Sequence, residues 1–204
     1  MVDQAKPLSK IQEELEKLFK NLELEKERLE KRHEMLSRIN ADLNGMEVMD
    51  IPSEEDINRL EGYFSYIISY DLKDLIERKN WFVGVILSSA ILEDVGKRKL
   101  KRKFKDKICS NRIQRLSFEQ VIIMLLASGL VDSKVYQKLM DIKGVRNDLA
   151  HDSFEAMSSF LQTGSMGNEV CKKCKSAIKK AIVCLETINP PVTPKLSENQ
   201  STKC

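Results

Sequence analysis

The run DIKGVRNDLAHDSFE over residues 141–155 holds Arg146 and His151, and His151 is one of only two histidines in the chain. A histidine titrates near neutral pH and can pass protons, and an arginine is a fixed planar fork for phosphate oxygens. Together they have the chemistry for breaking a phosphodiester bond without a metal ion. Cleaving RNA this way requires the 2′-hydroxyl to lose a proton, the 5′-oxygen to gain one, and the crowded phosphorus to be stabilised. Histidine suits both proton transfers and arginine suits the developing charge. Asn147 lies four residues before His151, so the two share a helix face, and Asn147 could orient the imidazole or bond a phosphate. Arg146 and His151 are five apart and point about 140° away from each other on an unbroken helix. Their convergence therefore needs a bend or a second copy of the chain. The alternative is that Arg146 is a solvated helix residue and His151 a cation near a helix end, favoured there by the dipole.

The elements that must position these residues are all helices. Hydrophobic residues make up 42% of the 204 and charged residues 32%, which suits a core wrapped in long solvated helical faces. Glycine (8) and proline (5) are sparse, so tight turns are few. Ile11, Leu15, Leu18, Leu22, Leu29, Leu36, Ile39 and Leu43 fall on a four-three grid, with Glu25 and Arg32 in the two remaining seam positions. That narrow stripe predicts a coiled-coil helix over 9–44, closed by Asn44-Gly45 and followed by a connector over 46–52. His33 lies off the seam and is read as a surface residue.

A helical domain is expected over 53–189, followed by a disordered polar tail over 190–204. Within it, Ser53 and three acidic residues open a helix to about Tyr70, with Ile57, Leu60, Phe64, Ile67 and Ile68 inward and a further short turn over 72–77. Residues 80–103 form one long helix whose broad buried face includes Trp81, Phe82, Val85, Ile86, Leu87, Leu92, Val95 and Leu100. Its small residues Gly84, Ser88, Ser89 and Ala90 permit close approach of another helix, while Glu93 and Asp94 face solvent or pair with a cation. Ser117 and Gln120 form a capping box for a helix over 118–128 that Gly129 ends. Asp132 caps the next helix, with Val135, Leu139 and Ile142 inward, which runs straight into Arg146–His151. A last helix over 168–188 carries Val170, Ala177, Ala181, Val183, Cys184 and Ile188 inward.

Net charge is only +3, so a nucleic-acid role needs a local patch. The densest is Lys97, Arg98, Lys99, Lys101, Arg102, Lys103, Lys105 and Lys107, and Lys97, Arg98, Lys101, Arg102 and Lys105 are the candidate RNA-binding residues. The alternative is a solvated helix end whose cations complement the dipole. The five cysteines are odd in number and scattered, which suggests reduced thiols in the cytoplasm. Cys171-Lys-Lys-Cys174 lacks further ligands at suitable spacing and lies on a helical pattern, so no metal site and no cofactor are expected. The most apolar stretches, 81–92 and 121–127, are too short or too soon interrupted to cross a bilayer, and no membrane role is expected.

Residues 118–151, with two helices around Gly129-Leu-Val-Asp132 and then Val-Arg-Asn-Asp-Leu-Ala-His, resemble the HEPN superfamily (higher eukaryotes and prokaryotes nucleotide-binding). Arg146, Asn147 and His151 match its motif of arginine, polar residue and histidine, and 80–103 with Glu93 looks like its first long core helix. The resemblance covers about 57–189. It implies an all-α bundle that dimerises with the two motifs facing each other, and a metal-independent endoribonuclease of a toxin, antitoxin-controlled or defence kind. Many relatives have lost activity and bind RNA or scaffold a complex. Two expectations follow: a homodimeric ribonuclease, or a non-catalytic adaptor that oligomerises through its coiled coil.

Overall fold

The computed structural model describes residues 8–44, 54–105, 110–151 and 168–191. Gly45, the 46–52 connector, Ser53, Lys107, Cys109 and the tail from 192 onward lie outside these residues. Everything described is helix or short connection, and the fold is all-α: α1 (Leu8–Asn44), α2 (Glu54–Glu77), α3 (Trp81–Lys103), α4 (Ser110–Gln114), α5 (Phe118–Ala127), α6 (Ser133–His151) and α7 (Asn168–Ile188). Among these residues no helix is long and apolar enough to cross a membrane. The chain divides into two compact units, one containing α1 and the other spanning Ser53–Thr193.

In α1 the surface is laced with pairs one helical turn apart, such as Lys17–Glu13 at 2.6 Å and Lys31–Glu27 at 2.7 Å. Such exposed pairs are individually weak, and together they favour a helix with little apolar content. Of the seam residues, Leu15, Leu18, Leu22, Leu29 and Leu36 are exposed and Ile39 is buried.

The second unit is organised around α7, whose apolar row Cys174, Ala177, Ile178, Ala181, Ile182, Cys184, Leu185 and Ile188 is buried. Helices α2, α3 and α6 all pack on it, and α5 packs on α3 and α6. The approach of α3 to α7 is set by Gly84, since any side chain there would collide with Ile178. The capping box forms as read: Ser117 N–H donates to Gln120 Oε1 at 2.9 Å and Gln120 N–H to Ser117 Oγ at 3.4 Å. Gly129 takes φ 71°, and the amides of Gly129 and Leu130 donate back to Leu126 and Leu125, each at 3.0 Å, which closes α5. Asp132 Oδ1 accepts from Val135 N–H at 2.8 Å and opens α6.

Four expectations are corrected. The break after Tyr70 does not occur, and α2 continues to Glu77, because no glycine or proline interrupts it and Leu72 is drawn into the core. Leu60 and Phe64 are exposed, and the buried face of α2 is instead Glu61, Tyr63, Ser65, Ser69 and Leu72. The cause is polar: Asn189 at the end of α7 donates from Nδ2 to the Glu61 carbonyl and to Ser65 Oγ, both at 2.8 Å, which turns that face inward. Phe82, Ile86, Leu87 and Ala90 of α3 are exposed, since α3 buries the opposite row of Gly84, Val85, Ser88, Ser89, Leu92 and Val95. Val183 is likewise on the outer face of α7. The short α4 carries no periodic signal and was not anticipated.

Burial pushes the thiols of Cys174 and Cys184 up to about 11. Folding therefore favours the protonated thiols, and their contribution is intact below the usual thiol range and lost as pH rises toward 11. Urea denaturation should show stability falling between about pH 9 and 11, by at most about 3 kcal/mol per thiol. That slope should flatten in the Cys174→Ala/Cys184→Ala variant. Brief alkylation of native protein, mapped by mass spectrometry, should label Cys171 and spare Cys174 and Cys184.

Candidate functional site

Helix α6 runs unbroken from Ser133 through His151. Its buried row is Val135, Leu139, Ile142 and Leu149, and Arg146 continues that row, four residues after Ile142 and three before Leu149. The guanidinium is thereby directed at the bundle, where Glu93 of α3 meets it in an ion pair of 3.6 Å. Lys97, one turn further along α3, donates to the same carboxylate at 2.7 Å. The Lys97 side chain is 11% exposed, Glu93 23% and Arg146 38%, so the cluster is half withdrawn from water with Arg146 at its mouth. In such a setting a charge pair is worth more than on an open surface, and the arginine is held in place before any ligand arrives.

Two further ion pairs fix α6. Lys143 reaches Glu119 of α5 at 2.8 Å, and Lys180 of α7 reaches Asp141 at 2.6 Å. Hydrogen bonds from Lys180 and then from Gln137 hold the Asp141 carboxyl below its usual range. Helix α6 is thus pinned from α3, α5 and α7 along its second half.

Asn147 and His151 lie on the other side of the same helix and are exposed. With no bend in α6, the separation of about 140° between Arg146 and His151 stands. One chain brings Arg146, Glu93 and Lys97 together and leaves Asn147 and His151 outside that cluster. Glu93 is the residue whose role the sequence left open between solvent and a cation. It joins two cations, and its position on the long basic helix was the available signal.

Three of the five candidate RNA-binding residues, Lys97, Arg98 and Arg102, are engaged within the fold. Besides Lys97, Arg98 pairs with Asp94 at 2.9 Å and lies over the Phe64 ring at 5.1 Å. Arg102 grips Glu61 with two nitrogens, at 3.0 and 2.6 Å, and Lys99 joins at 3.3 Å. Lys101 and Lys105 form no ion pair among the described residues. Phe104 packs against the core. Cys171 and Cys174 sit on α7, with Cys174 fully buried in the apolar row. Among the described residues no three His, Cys, Asp or Glu side chains are grouped to hold a metal ion.

Compared with protein-family models, with curated proteins and with solved structures, the chain finds no match.

Replacing Glu93 by Gln should cost about 1 kcal/mol in urea denaturation, because two cations lose a partly buried partner. A double-mutant cycle of Glu93→Gln with Arg146→Gln should give a coupling of about 0.5 kcal/mol. Additive losses would show that the 3.6 Å pair contributes nothing to the fold.

Proposed function

We propose that this chain is a metal-independent endoribonuclease of the HEPN type whose site is completed by a second copy. The observation that supports the reading is the division of labour on α6: Arg146 is paired with Glu93, while Asn147 and His151 are exposed on the other side of the same unbroken helix. Within one chain the two side chains do not meet, whereas a two-fold axis beside α6 repeats each patch and gathers two His151 and two Arg146 around one shared cleft. Helix α3 supports such pairing. Phe82 and Ile86, exposed and apolar, lie four residues apart, and Glu93 and Lys97 follow on the same side seven and eleven residues after Ile86, so an uncovered apolar pair leads toward the Arg146 cluster.

In this reading one His151 takes the proton of the 2′-hydroxyl, whose oxygen attacks the adjacent phosphorus. The bond from phosphorus to the 5′-oxygen breaks, and the other His151 gives that oxygen a proton. Arg146 neutralises charge on the non-bridging oxygens, and Asn147 orients the imidazole one turn away. The products are a 2′,3′-cyclic phosphate and a 5′-hydroxyl, with no atom unaccounted for.

A second reading rests on a different observation. The exposed leucines Leu15, Leu18, Leu22 and Leu29 of α1 form a seam suited to another helix. On this reading the chain is an adaptor that oligomerises through α1 and uses its helical domain to bind RNA or to scaffold.

Incubation with a mixed RNA pool in EDTA separates the two. Cleavage should occur with cyclic phosphate ends, and His151→Ala should reduce it by about a hundred- to ten-thousand-fold while RNA binding survives. Arg146→Lys should be strongly impaired because the planar fork is lost, and Asn147→Ala less so. Activity that persists in His151→Ala overturns the mechanism, and tight binding without cleavage by the unaltered chain favours the adaptor. Light scattering should give a dimer mass for the full chain that survives Leu22→Asp/Leu29→Asp. Loss of the dimer in that variant would place the interface on α1.

A further inference from the structure

We propose that the lysine face of α7, and not the basic end of α3, is the track that binds RNA phosphates, a proposal that rests on the ribonuclease reading. Four cations of α3 are already paired: Lys97 on Glu93 at 2.7 Å, Arg98 on Asp94 at 2.9 Å, and Lys99 and Arg102 on Glu61 at 3.3 and 2.6 Å, which leaves Lys101, Lys103 and Lys105 spread among paired neighbours. Withdrawing them to bind a phosphate would unpair carboxylates, and Glu61 is only 8% exposed.

On α7 the opposite holds. Lys172, Lys175 and Lys179 are exposed at spacings of three and four, so they share one face over about 10 Å of helix axis. None of the three forms an ion pair among the described residues, and no acidic residue occurs on the helix between Glu169 and Glu186. Lys173 and Lys180 flank the row, tied to Glu169 at 3.9 Å and to Asp141 at 2.6 Å. The row runs beside the α6-facing side of α7 and toward the end of the domain that holds the candidate site. Lys180 meets Asp141, while Lys173 and Ser176 share with Val145 a cleft of about 150 Å³, so α6 and α7 run antiparallel there. Followed toward Lys172, the row therefore approaches the end of α6 that carries Asn147 and His151, with the exposed carboxylate of Asp148 as the one opposing charge on that stretch of α6. A membrane surface fits less well. Such a helix needs a large apolar face, and Val183 is the one large exposed hydrophobic on α7.

The test uses the full-length chain carrying His151→Ala, so that RNA survives the measurement, and a fluorescent single-stranded RNA of mixed sequence read by anisotropy across salt concentrations. Adding Lys172→Ala, Lys175→Ala and Lys179→Ala should weaken binding at least about tenfold and make the salt slope shallower by about two, three lost contacts at roughly 0.7 each. The corresponding arginine variant should restore both. Alanines at Lys101, Lys103 and Lys105, the cations at the end of α3 that are unpaired among the described residues, should change the slope less; an equal or larger change there overturns the assignment to α7. The one tryptophan of the chain, Trp81, has Lys175 Nζ at 5.9 Å from its ring, so RNA should perturb its emission in the parent protein. An unchanged affinity and slope in the α7 alanine variant, with cleavage by the otherwise unaltered chain intact, overturns this proposal and leaves the ribonuclease reading standing. Lysine-dependent binding without cleavage by the unaltered chain overturns the ribonuclease reading and leaves the track. Binding of acidic phospholipid vesicles that depends on the same lysines, with no binding of RNA, makes the partner a membrane and overturns both.

Discussion

Removal of one face of α7 from water is the interaction on which the helical domain depends. Ile178, Ile182, Leu185 and Ile188, with the small Cys174, Ala177, Ala181 and Cys184 between them, form a row wide enough for three other helices to share. Full burial of each large side chain contributes about 1.5–3 kcal/mol, and the small residues let neighbours come close enough for dispersion to add to it. Because α7 follows the other helices of the domain in chain order, the domain cannot close until α7 itself is present. Its defining contacts join residues far apart in sequence, such as Asn189 with Glu61 and Ser65.

That closing contact explains why a carboxylate can be buried in α2. Glu61 has lost most of its water, but a bidentate arginine and a lysine replace it, and its own carbonyl is bonded by Asn189. Such an arrangement adds little net stability beside an apolar alternative, but loss of one partner strands a charge. It fixes which face of α2 turns inward and draws in the far end of α3. The basic end of α3 is in this sense part of the scaffold.

The continuity of α6 separates the two halves of the motif. Three ion pairs from three different helices tie its second half to the bundle. A motif that is compact in sequence becomes two patches in space, one anchored on the bundle and one facing solvent.

The helical class, the order of helices and several of their ends were legible in the sequence, because they are set by local physics. The Ser117–Gln120 capping box, the Asp132 cap and the Gly129 stop each act within a few residues, and the apolar period of α6 named its inward row. That same period places Arg146 on the buried side and His151 opposite, so their divergence on an unbroken helix was also readable. Tertiary structure alone decided which of several apolar faces would be covered. On α2 and α3 the sequence offers apolar residues nearly all round, and only the positions of Asn189, Ile178 and their neighbours select Ser65 over Phe64 and Val85 over Ile86. Charge followed the same rule. The lysines and arginines of 97–102 are dense in the sequence, but whether a cation is free depends on carboxylates brought from elsewhere in the chain, and Glu61 is about forty residues away. The sequence determined where positive charge is abundant, and the packing of α2 against α3 decided where it is still available.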